Sequence, residues 1–165
     1  MKNKSEKLIK ALAWIIFTIY IIMLFYFMFF SERYGRTIIH SDYNYNLELL
    51  REIKRFWNYR ELLGLESVVV NLAGNVAGFI PFGIMIPFLS KRRRNFFLVT
   101  ILTLEFSLLI EVTQLITKAG CFDVDDLLLN TLGGSIGYIV FGIVNGFCKR
   151  WRKKDAKKEK EDIYR

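Results

Sequence analysis

Between Glu111 and Gly137 the chain reads EVTQLITKAGCFDVDDLLLNTLGGSIG. A carboxylate and a carboxamide sit in an apolar run, a short loop carries three aspartates, and a second apolar run opens on Asn130. Carboxylates gathered this way can do three kinds of work. Two that share burial split their proton affinities and serve as acid and base. Several together hold a cation. With amides beside them they bind a polar ligand. In apolar surroundings each costs several kcal/mol unless it is paired, so these residues need one another.

A helix turning 100° per residue places Thr100, Thr103, Ser107, Gln114 and Lys118 within an arc of about 80° around Glu111. A following helix that begins near Asp123 collects Asp123, Asp126, Asn130, Gly133, Gly134 and Gly137 on one face. About eight loop residues separate the two faces. The expectation is an antiparallel hairpin in which Asn130 bonds across and the glycines admit close backbone approach. Asp123, Asp125 and Asp126 also have an ordinary role, since carboxylates cap and neutralise helix N-termini by about 0.5 to 2 kcal/mol. That role accounts for two of the three; alignment with Asn130 and Glu111 points to a cation or polar-ligand site.

The elements that position these groups follow from where charge is missing. Among 165 residues, 53% are hydrophobic and 16% aromatic, more apolar than an ordinary soluble domain. Residues 11–30, 68–90 and 127–148 contain no Asp, Glu, Lys or Arg, and 95–117 contain only Glu105 and Glu111. Each run matches the ~20 residues needed to cross hydrocarbon. The fold class is therefore an all-α membrane protein of four transmembrane helices. Residues 1–10 read as a cytoplasmic N-terminus, 11–148 as the membrane domain and 149–165 as a basic cytoplasmic tail. A cleaved signal peptide is not expected, because the first apolar run is too long and ends in FMFFSERYG.

The net charge of +8 is distributed by topology rather than for nucleic acid. Four Lys/Arg precede residue 11, four lie at Lys91, Arg92, Arg93 and Arg94, and nine follow from Lys149. The loop 31–67 balances six bases with six acids. The positive-inside rule then puts both termini in the cytoplasm, with the tail touching anionic lipid heads. Membrane lipids are the expected partners and nucleic acid is not. Cys121 and Cys148 fall at opposite membrane faces and cannot pair. With His40 the one histidine, no histidine-based metal site or catalytic dyad is expected, and neither metal nor cofactor is assigned.

In the outer loop Leu49, Leu50, Ile53, Phe56 and Trp57 recur at helical spacing, giving an amphipathic helix on the outer leaflet or the bundle mouth. In the second span Asn71, Gly74, Asn75 and Gly78 share a face suited to close packing and cross-helix bonds. Asn71 and Asn75 serve there as structural glue or, with Glu111 and Asn130, line a polar cavity. Pro81 is expected to kink this span. Glu105 lies about 140° from the polar stripe, near mid-span, with no partner legible in the sequence.

Together these residues resemble the VanZ-like family of small bacterial integral membrane proteins, over residues 44–142. The family pattern N-L-x-x-N-x-x-x-F-x-P-x-G corresponds to Asn71, Leu72, Asn75, Phe79, Pro81 and Gly83. E-x-x-Q corresponds to Glu111 and Gln114, and D-x-x-D-x-x-x-N-x-x-G to Asp123, Asp126, Asn130 and Gly133. Two departures stand out. The outer loop has Asn46-Leu47-Glu48-Leu49-Leu50 where relatives often carry N-L-x-P-F, and Gly120-Cys121 stands where many have an arginine, leaving Lys118 as the nearest base. The resemblance implies resistance to teicoplanin-type glycopeptides, without supplying its chemistry. The residues leave three readings open. One is a non-enzymatic envelope protein whose outward polar pocket binds a lipid-linked or cell-wall ligand through Asn71, Asn75, Glu111, Gln114, Asp123, Asp126 and Asn130. The second is a lipid-directed enzyme using Glu111, Asp123 and Asp126; the third is a small proton- or cation-coupled transporter. No nucleophile is identifiable, so the non-enzymatic reading is preferred.

Overall fold

A computed structural model describes residues 2–30, 43–59 and 65–163. The elements run α1 (Lys2–Phe30), β1 (Tyr45–Asn46), α2 (Arg51–Asn58), α3 (Leu65–Leu89), a 3-10 turn (Lys91–Arg93), α4 (Phe96–Thr117), β2 (Phe122–Asp123) and α5 (Val124–Ile163). Stretches Lys4–Phe29, Leu72–Leu89, Phe96–Thr117 and Val124–Lys154 are long and apolar enough to cross a membrane. His40 lies outside the described residues, as does the side chain of Asn71.

Local chemistry sets the boundaries. Asn95 caps α4 by accepting the Leu98 N–H at 3.3 Å, and the helix stops where Lys118 turns left-handed at φ 56°. Helix α3 is a single helix through both Pro81 and Pro87. The basic tail does not break from the last span: α5 continues to Ile163. Its Lys, Arg, Glu and Ala are strong helix formers, so nothing terminates the helix where the apolar run ends.

In lipid the tails are as apolar as leucine, so close packing and polar bonds hold helices together. Helices α3 and α5 approach to backbone contact. A Cβ on Gly133 would stand 2.1 Å from the Val76 carbonyl oxygen, one on Gly137 2.2 Å from that of Ile80, and one on Gly83 1.9 Å from that of Gly134. Gly134 also faces α4, where an added Cβ would meet Thr103 Oγ1 at 2.3 Å. The glycines thus serve α3 as much as the expected α4 hairpin. Phe79, Ile110, Leu24 and Met28 form the core toward one end, and Phe82, Ile86 and Val99 toward the other. The Phe82 and Phe106 rings stack at 4.9 Å. Ile15, Ile19, Ile22, Ile116 and Ile139 point outward, more than half exposed, as lipid-facing positions do.

The expected amphipathic helix is α2, which lies over the α3 and α5 ends. Its leading residues Leu49 and Leu50 precede the helix, and Leu50 is left-handed at φ 66°. Beside it β1 and β2 pair in parallel, Tyr45 with Phe122 and Asn46 with Asp123. Nothing in the residue pattern announced this pairing.

A polar clasp at one end of the bundle

The polar residues form a ladder between antiparallel α4 and α5. Thr100 Oγ1 and Ser135 Oγ lie 3.1 Å apart. One rung along, Asn130 Nδ2 donates to Ser107 Oγ at 2.9 Å. At the end of the ladder Glu111, 1% exposed, accepts the Asp123 N–H at 3.0 Å. These rungs realise the hairpin read from the sequence, with Asn130 bonding across. The carboxylate of Glu111 holds the backbone where β2 gives way to α5.

From α3, Asn75 Nδ2 donates to Asp126 Oδ1. The Asn75–Asp126 and Glu111–Asp123 bonds therefore bring three helical segments together around the first turn of α5. Gln114 does different work. Its Nε2 donates to the Met28 carbonyl at 2.9 Å, tying α4 to α1. Lys118 places its ammonium 4.8 Å from the centre of the Tyr43 ring, a cation–π contact within the ~6 Å range.

Two residues outside the sequence-derived site complete the clasp. Asn46 is 5% exposed; its Nδ2 donates to Asp123 Oδ1 at 3.1 Å, and its Oδ1 accepts the Glu48 N–H at 3.2 Å. Asp125, 1% exposed, accepts the N–H of Leu50 and, at 3.3 Å, that of Ile53. It therefore caps α2 from another helix, and it steadies the left-handed Leu50, a conformation that costs a non-glycine residue about 1 to 3 kcal/mol. The Asp125 N–H returns a bond to Asp123 Oδ1 at 2.8 Å. The Asp-Val-Asp spacing and the Asn46-Leu47 element were the available signals, but the partner sequences lie more than seventy residues away. Among the described residues no group of three His, Cys, Asp or Glu side chains is arranged to hold a metal ion.

Burial pushes the Asp123 carboxyl above its ordinary value of 3.8, against the lowering effect of the Asp125 N–H and Asn46 bonds; the Asp125 charge also raises it and Arg55 lowers it. A raised carboxyl binds protons more tightly folded than unfolded. Its contribution to stability is thus full below 3.8 and fades as pH rises through the raised value. Relative to intrinsic base-catalysed exchange, amide protection at Asn46 and Asp123 is expected to fall across that window in the wild type and to lose this dependence in Asp123→Asn. An unchanged slope in the variant would assign the titration elsewhere.

The chain is thus a multi-pass helical membrane protein with a polar clasp joining the α3, α4 and α5 ends to the segment before α2. The VanZ/LLP1 family model matches residues 17–145, and the chain belongs to that family. It is 30% identical over 136 residues to Protein VanZ of Enterococcus faecium, covering 77% of this chain and 71% of that protein. No solved structure matches the chain significantly.

Proposed function

We propose that this protein lowers susceptibility to teicoplanin-type lipoglycopeptides by binding a lipid-linked or cell-wall ligand at the clasp, which faces outward. Similarity to Protein VanZ supports the activity. The outward direction is supported by the Lys and Arg residues crowding the opposite end, at Arg92, Arg93, Arg94 and beyond Lys149. One observation carries the binding reading. Asn130 is fully buried one turn beneath Asp126, and its Oδ1 has no hydrogen-bond partner among the described residues. Buried acceptors are normally satisfied, so this oxygen is suited to a hydroxyl or amide donor of a ligand. Binding is favoured over catalysis because Glu111 and Asp123, two of the three candidate acid–base groups, already accept backbone N–H groups.

The test is teicoplanin susceptibility of a sensitive Gram-positive host expressing wild type or Asn130→Leu at equal membrane abundance, with binding of purified lipid-linked wall precursors measured in parallel. The wild type is expected to protect, and the variant to bind roughly 3- to 10-fold more weakly and protect less. Equal protection by Asn130→Leu would reduce the ladder to structural glue. A wild type that neither protects nor binds would remove the reading altogether.

A further inference from the structure

Helix α4 carries two carboxylates, and they face opposite ways. Glu111 is buried in the clasp; Glu105 is exposed on the outer surface of the bundle. Among the described residues no hydrogen bond or ion pair reaches Glu105. It lies nine residues beyond Phe96 and twelve before Thr117, so about 14 Å and 18 Å from the two helix ends at 1.5 Å per residue. A carboxyl at that depth stands in the hydrocarbon layer, too far from either end to be solvated by reaching for the interface. Such a group is costly there and normally faces a partner.

Its neighbours indicate what the partner is. Leu98, Ile101, Glu105, Leu108 and Val112 are spaced three, four, three and four apart, and each is exposed. That is a heptad seam over two repeats, the pattern that packs one helix along another at a shallow left-handed crossing. The inward side of α4 is already filled by Val99, Thr103, Ser107 and Ile110. The seam is therefore a second packing face that nothing within the described chain covers.

We propose that this seam is the interface of a homodimer, with Glu105 meeting its own counterpart. All copies of one chain insert in the same direction, so a two-fold axis along the membrane normal sets two α4 helices parallel. In a parallel heptad pair a core position faces the identical position of its partner. Carboxyl against carboxyl is self-complementary once one proton is shared, one oxygen donating and the other accepting. A second copy thus supplies the missing bond with no further chemistry required. The seam lies outside the clasp, so dimerisation is separable from ligand binding.

The experiment uses the full chain in phospholipid vesicles, with the exposed Cys121 and Cys148 replaced by serine. Single cysteines are placed on the seam, Ile101→Cys or Leu108→Cys, or on the lipid-facing side of α5, Ile139→Cys, and treated with a short thiol cross-linker. The seam cysteines are expected to give a dimer-sized product well above the Ile139→Cys level. Energy transfer between labelled copies on lipid dilution should show dimer affinity weakened about tenfold by Glu105→Leu and by less than about threefold in Glu105→Gln, whose amide still bonds across. Seam cysteines that link no better than Ile139→Cys would overturn the proposal, as would a dimer indifferent to Glu105→Leu. A product of another mass, formed in native membranes in place of the dimer, would also overturn it by assigning the seam to a different protein.

Discussion

Replacing Gly133 or Gly137 with leucine is expected to unseat α3 from α5 and destabilise the bundle by about 3 kcal/mol or more, at the upper end of overpacking costs. The reason is what stands opposite. A Cβ at either position would fall 2.1–2.2 Å from a carbonyl oxygen of Val76 or Ile80, and backbone cannot rotate aside as a flexible side chain can. The helices must separate, and with them goes the Asn75–Asp126 bond at the clasp. Gly142 provides the control within the same helix. A Cβ there has no atom within 4 Å, so Gly142→Leu should be tolerated. Unfolding by denaturant in mixed micelles, read by tryptophan fluorescence, distinguishes the two classes. If Gly133→Leu and Gly142→Leu unfold alike, the α3–α5 contact is looser than described.

The same glycines show where residue periodicity stops being informative. At 100° per residue Gly133, Gly134 and Gly137 fall within one arc, which correctly marks a close-packing face. An arc that wide on a helix lying between two neighbours is divided between them. Gly133 and Gly137 meet α3, while Gly134 meets both Thr103 of α4 and Gly83 of α3. Spacing along one helix fixes which residues share a face but not which element the face meets.

Polar residues inside apolar runs were legible for a related reason: burial forces pairing, and few candidates exist. Hence Glu111, Asn130 and Ser107 could be placed on one hairpin, and the bonds fall there. Gln114 shared the stripe but turned to the α1 carbonyl of Met28, because a stripe 80° wide touches more than one neighbour. The β1–β2 pair was invisible for a different reason. Two residues per strand are too few for alternation to register, and the partners are separated by most of the chain. Asp125 was undervalued because a carboxylate in the first turn of a helix has a sufficient local explanation as a charge at its own N-terminus. Its actual partners are the N–H groups of a different helix.

That cross-helix role carries the second large expected effect. In Asp125→Ala the N–H groups of Leu50 and Ile53 lose their carboxylate, and hydrogen bonds to charged groups contribute about 1.5 to 3 kcal/mol each. Leu50 then has little to hold it left-handed, so relaxation of its backbone should pull the start of α2 away from the bundle. Opening of the segment 44–58 is expected to become about 3 kcal/mol easier, while α3, α4 and α5 remain packed through the glycines of α3 and α5. Asp125→Asn should fall between. One amide oxygen still accepts from Leu50, but its NH2 now meets the Ile53 N–H donor to donor. Hydrogen exchange on the protein in lipid nanodiscs reads this directly as faster exchange at Leu50 and Ile53, ranked Ala, then Asn, then wild type. Uniform acceleration across α3 and α5 would instead make Asp125 a global support, and no change at Leu50 would place the α2 cap elsewhere. Because Asp125 also donates its N–H to Asp123, which Glu111 holds in turn, the clasp would be one connected unit. Exchange at Asp123 should then quicken with that at Leu50, whereas an independent Asp123 would divide the clasp into an α2 cap and a separate Glu111 anchor.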